Sequence, residues 1–101
     1  MPAYAIVDVR ITEPERYPEY AKAVPATIKK YGGRYLVRGA DLRPIEGDWD
    51  LNRFVVLEFP NMEQLQRWYS SPEYEPLKKL RFETAECRMV WVEGYSPPPG
   101  A

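Results

Sequence analysis

Residues 4–11 read Tyr-Ala-Ile-Val-Asp-Val-Arg-Ile, and they alternate. Ala5, Val7, Val9 and Ile11 fall on one side; Tyr4, Ile6, Asp8 and Arg10 fall on the other. A period of two among β-branched residues spells a strand. The uniformly apolar side is suited to meet helices, while the mixed side carries two charges. Just downstream, Thr12 and Glu15 have the spacing of a capping box, and Pro14 fits a first helical turn. Tyr17, Tyr20, Ala21, Val24, Ile28 and Tyr31 then recur at helical spacing. Pro25 lies inside that stripe and is expected to kink or interrupt the helix, because proline has no backbone donor. Gly32-Gly33 ends it.

The rest of the chain repeats this layout. Arg34 to Gly39 is a second strand, followed by a connection from about Asp41 to Leu51 with a turn at Glu46-Gly47-Asp48. Asn52 to Phe59 is a third strand, with Val55, Leu57 and Phe59 on one side and Phe54, Val56 and Glu58 on the other. Asn61 with Gln64 forms another cap, ahead of a stripe of Met62, Leu65, Trp68 and Tyr69. Ser71-Pro72 restarts the helix, and Tyr74, Leu77 and Leu80 continue its stripe. Arg88 to Tyr95 is the last strand, and Ser96 to Ala101 is a proline-rich tail expected to be disordered.

Strand, helix, strand, strand, helix, strand is the ferredoxin-like βαββαβ pattern. It predicts an α+β domain over residues 1–95, a four-stranded antiparallel sheet with two helices on one face. By strict alternation the uncovered face carries Ile6, Leu36, Phe54, Val56, Met89 and Trp91. That much apolar surface calls for cover, and a second copy on the same face, a homodimer, is the economical one.

Composition narrows the function. The net charge is −1, from 14 basic and 15 acidic residues mixed along the chain. No basic stripe suits a nucleic acid, and no apolar run suits a membrane span. The chain has no histidine and a single cysteine, Cys87. Histidine-dependent nucleophile systems and the usual zinc and iron sites therefore have no basis here, and no metal or cofactor is expected. A lone cysteine fits a reducing compartment. With no signal-peptide pattern in the first ten residues, the expected location is the cytoplasm.

Several stretches together resemble a known family. They are Ile6-Val7-Asp8-Val9, Tyr31-Gly32-Gly33-Arg34-Tyr35-Leu36-Val37-Arg38-Gly39, Glu46-Gly47-Asp48-Trp49, Val56-Leu57-Glu58-Phe59-Pro60 and Trp68-Tyr69-Ser70-Ser71-Pro72-Glu73-Tyr74. From about Tyr4 to Gly94 the chain resembles family 1330 of the domains of unknown function. The resemblance implies a dimeric α+β barrel, a group that also holds small cofactor-free oxygenases and isomerases. It implies no established activity.

Six residues are candidates for a site. Asp8, mid-strand on the face away from the helices, is either half of a structural ion pair or a ligand-orienting carboxylate or general base. A close arginine would lower its pKa and make it a poorer base. Arg38 offers a planar fork for a carboxylate or enolate, or else pairs with Asp8 or Glu58. Glu58 shares Asp8's face by alternation. Trp68 and Tyr69 sit in a helical stripe, where core packing is the simpler role. Trp49, in a loop, suits a contact or a cover. The expected site is a cleft between sheet and helices that binds a small molecule, a carboxylate for example. A cofactor-independent enzyme with Asp8 as base, or a structural dimer without ligand, are the other readings.

Overall fold

The computed structural model describes residues 1–39 and 41–100; Ala40, and Ala101 at the end of the tail, lie outside the described residues. The elements are β1 (Ala3–Ile11), α1 (Tyr17–Lys30), β2 (Arg34–Arg38), β3 (Arg53–Phe59), α2 (Met62–Tyr69), α3 (Glu75–Thr84) and β4 (Ala85–Glu93). The sheet order is β2-β3-β1-β4, every pair antiparallel. This is the βαββαβ order the sequence predicts, with the second helix divided in two. Ser71 makes the division: its hydroxyl donates to the Trp68 carbonyl (2.8 Å) and accepts from the Tyr74 N–H (3.1 Å). Asn61 caps α2 as expected, its side chain accepting from the Gln64 N–H at 2.8 Å.

Thr12 does not cap α1. Its N–H and that of Glu13 both donate to the Thr84 carbonyl, and the helix starts five residues later with no side-chain cap at Arg16. Strand β4 begins at Ala85, three residues before Arg88, because α3 passes into it without a loop.

The helices cover one face of the sheet. Ala3, Ala5, Val7 and Val9 of β1 and Leu57 and Phe59 of β3 are buried there against Tyr20, Val24, Ile28, Leu65, Trp68 and Tyr74. Residues directly opposite in an antiparallel pair share a side. Val7 pairs with Met89 and Ala5 with Trp91, so Met89 and Trp91 lie on the helix side, not on the open face that alternation gave them. Val90 and Val92 take their place on the open face, 59% and 45% exposed. Both parities of β4 are apolar, so only the register with β1 decides which goes inside.

A second shift occurs in β2. Tyr35 pairs with Leu57, but Val37 pairs with Val56, so Leu36 is an extra, unpaired residue. Such a bulge reverses the facing of everything after it. Arg38 ends up opposite Val55, on the helix side.

That placement also resolves Pro25. Helix α1 runs through it unbroken. Proline at 25 leaves the Ala21 carbonyl without its helical donor. The Arg38 Nη2 donates to that carbonyl at 2.6 Å, and the guanidinium lies 4.5 Å from the centre of the Tyr35 ring. Arg38 thus straps β2 to α1. Replacing Arg38→Met is expected to cost about 1 kcal/mol in urea denaturation. In a Pro25→Ala background most of that cost should vanish, because the restored backbone N–H takes the carbonyl. Equal costs in the two backgrounds would contradict the strap.

Candidate functional site

Between sheet and helices lies a cavity of about 40 Å³. It is enough for roughly three water molecules. Aliphatic walls come from Val7, Val9, Val24 and Val55, and aromatic ones from Tyr17, Tyr20, Tyr35, Trp68 and Tyr74. Three arginines also line it: Arg38, Arg53 and Arg81. Arg38 is exposed and marks the mouth; Arg81, 4% exposed, marks the floor.

Each arginine is placed by a local feature. Arg81 follows the apolar stripe of α3 and is held by its Nε donating to the Tyr74 hydroxyl at 3.2 Å, with its guanidinium 5.0 Å from the centre of the Phe82 ring. Arg53 shares the parity of Val55, Leu57 and Phe59 in β3 and pairs with Val9, so it faces the helices. Its guanidinium packs on Gly39: a Cβ there would stand 2.1 Å from Nη1. Gly39 also has φ +66°, a conformation that glycine adopts freely. Arg38 arrives through the bulge in β2.

The phenols are neutral, and two of them are paired. The Tyr20 and Tyr74 hydroxyls lie 2.7 Å apart. Burial pushes Tyr20 and Tyr74 up from the ordinary tyrosine range, and raises Tyr17 and Tyr35 as well. Trp68, 1% exposed, donates its Nε1 to the Thr27 hydroxyl at 3.0 Å and stacks 4.2 Å from Tyr74. Among the described residues, the cavity wall contains cations and neutral hydroxyls but no carboxylate. It can orient and stabilise negative charge; it offers no acidic residue as a base.

The six candidates from the sequence fall into three places. Arg38 and Trp68 line the cavity. Asp8 and Trp49 meet on the open side of the sheet, around a shallow hollow of about 370 Å³ shared with Asp50 and Arg88. Glu58 and Tyr69 line neither: Glu58 accepts from Arg34 Nε at 2.8 Å, and Tyr69 packs edge-on against Trp91 at 5.4 Å. The expected Asp8–Arg38 or Glu58–Arg38 pair is therefore replaced. Asp8, 8% exposed, accepts from the Asn52 N–H (2.8 Å) and from Arg88 Nη2 (2.9 Å). Trp49 remains 60% exposed, its Nε1 donating to the Glu46 carbonyl at 2.6 Å. Among the described residues, no group of three or more His, Cys, Asp or Glu is set to hold a metal ion.

Residues 2–95 match the family described as "Domain of unknown function (DUF1330)". The chain belongs to the DUF1330 family. Solved structures agree on the fold of this DUF1330 protein. A protein of unknown function from Rhodopseudomonas palustris superposes with a TM-score of 0.74 at 19% identity, covering 95% of this chain and 84% of that one. A dimeric ferredoxin-like protein of unknown function from Jannaschia sp. gives 0.70 at 12%, covering 93% and 100%. SnoaB, a cofactor-independent oxygenase from Streptomyces nogalater, gives 0.64 at 11%, covering 97% of each chain. At these identities the likeness is one of fold. No curated protein matches the sequence. No helix among the described residues is long and apolar enough to cross a membrane.

The Asp8 environment sets a pH dependence. Burial pushes its carboxyl up, but the Asn52 amide and Arg88 outweigh burial and hold it below its ordinary value of 3.8. A depressed folded pKa adds stability that is complete above the unfolded value and is lost as pH falls through the lower folded one. Asp8→Asn is therefore expected to flatten the acid limb of stability below pH 3.8, read as urea midpoint against pH. An acid limb as steep as the wild type's would contradict that assignment.

Proposed function

We propose that this chain is a homodimer that binds a small organic molecule in the cavity between its sheet and its helices. The observation that carries the binding reading is the cavity itself. It is apolar and aromatic for most of its wall, with a few polar groups converging on it, the usual make-up of a ligand site. Its present volume is below that of such sites, so a ligand must open it. The mouth has a part suited to moving. Arg38 is exposed and is held by one hydrogen bond to a carbonyl and a ring face.

The dimer reading rests on the open face. Ile6, Phe54 and Val56 are half-buried there and Val90 and Val92 are exposed. An apolar face of this kind is suited to a second copy. Two of the structural neighbours are described as dimeric ferredoxin-like proteins, which supports the same arrangement. A free Cys87 fits a reducing, cytoplasmic setting.

A second reading, a cofactor-independent oxygenase or isomerase, is favoured by one feature. The Tyr20–Tyr74–Arg81 chain places hydroxyls and a cation where an enolate oxygen could be stabilised. Asp8 lies on the opposite side of the sheet and is bound by Arg88, so in this reading it is not the base.

Small carboxylates and phenolics are expected to raise the melting temperature of the wild type and to leave Ala21→Phe, which fills the cavity, unmoved. Compounds that stabilise both equally would show binding elsewhere. Sedimentation should give twice the 11.8 kDa chain mass, and Val90→Asp should give the single chain with its circular dichroism intact. A wild type sedimenting at 11.8 kDa would remove the dimer.

A further inference from the structure

We infer that the cavity is an anion site, and that the ligand enters with a carboxylate or like oxyanion between Arg53 and Arg81 while Arg38 closes over its outer end. The inference rests on the cavity being the binding site and adds the charge and orientation of what it binds.

Three observations carry it. The first is unanswered charge. The ion pairs of the fold engage Arg10, Arg16, Arg34, Arg67, Arg88, Lys30 and Lys78. Among the described residues none engages Arg38, Arg53 or Arg81. A buried guanidinium is costly without a counter-charge. Arg81 is 4% exposed, yet what it meets is the Tyr74 phenol, the Cys87 thiol and the Phe82 ring face, and no carboxylate pairs with it among the described residues.

The second is an orphaned donor. Among the described residues, the Nε of Arg53 is fully buried with no hydrogen-bond partner. Buried donors are nearly always satisfied, so an exception calls for an explanation, and an acceptor carried in by a ligand supplies one. Arg53 is kept in this position by Gly39, whose lack of a side chain makes room for the guanidinium.

The third is spacing. Tyr17 and Tyr35 line the same cavity as Arg38, Arg53 and Arg81. The three cations thus share one cavity wall, with exposure falling from Arg38 through half-buried Arg53 to buried Arg81. The free volume of about 40 Å³ suits the few heavy atoms of a carboxylate. The fork of an arginine matches a planar oxyanion with two parallel hydrogen bonds. The Tyr20–Tyr74 hydroxyl pair adds a neutral donor beside it.

The test compares sodium benzoate with benzamide, and sodium acetate with acetamide, on the full chain at constant ionic strength. The readouts are the Nε–H resonances of Arg53 and Arg81 in a ¹⁵N-labelled sample and the melting temperature. The anions are expected to shift both resonances, to bind at least tenfold more tightly than the amides, and to weaken as salt rises. Arg53→Met should lose about tenfold in benzoate affinity, and Arg53→Lys should recover part of it. Since Arg81→Met risks unfolding the floor of the cavity, the wild-type Arg81 resonance decides that contact. If the amides bind as tightly as the anions, the anion site falls while the cavity as a binding site stands. If no compound moves either resonance, both fall. Benzoate acting only on surface arginines such as Arg10 or Arg34 would equally overturn the inference.

Discussion

One unpaired residue in β2 determines which side of the sheet an arginine serves. Without the extra Leu36, alternation from Tyr35 would carry Arg38 to the open face, beside Asp8 and Glu58. With it, Arg38 turns inward, where the Ala21 carbonyl lacks a donor because residue 25 is proline. A bulge in one strand and a proline in one helix thus complete each other across the layer between them. Either alone would leave a defect: a helix carbonyl without a partner, or a charged side chain pointed at an apolar wall. Together they close the mouth of a cavity with a breakable bond.

The same interior concentrates positive charge while the open face balances its own. Asp8 is matched by Arg88 and Glu58 by Arg34, each within hydrogen-bond reach. A face whose charges are already paired can be covered by another apolar face at modest electrostatic cost, whereas a cavity whose charges are unpaired asks for something that brings the opposite sign. In the proposed function the two sides of one sheet take different tasks, assembly on one and ligand capture on the other.

Much of this was legible in the residues. The alternation of YAIVDVRI, the Asn61 cap and the helical stripes are enough for the βαββαβ order, and the register that follows buries the faces of β1 and β3 as read, apart from Ile11 at the end of β1. The misreadings have specific causes. In β4 both parities are apolar, so pairing with Val7 and Ala5 had to decide that Met89 and Trp91 go inside. In β2 no glycine or proline announces the bulge. Arg53 and Arg81 were readable but unread: Arg53 keeps the parity of Val55, Leu57 and Phe59, and Arg81 lies seven residues after Tyr74 on the α3 stripe. A charged residue in phase with a buried stripe is the signal that would have found them. Pro25 likewise pointed to an orphaned carbonyl four residues earlier, and hence to a donor from elsewhere.

The bulge, the strap and the charged cavity all depend on where the Arg38 side chain lies, and nuclear Overhauser contacts from its Nε–H and δ-methylene protons measure that directly. Contacts to the Tyr35 ring and the Ala21 methyl are the expected result. Contacts to Phe54 or to the β-protons of Asp8 would put Arg38 on the open face and undo the bulge, the strap and the charged cavity together.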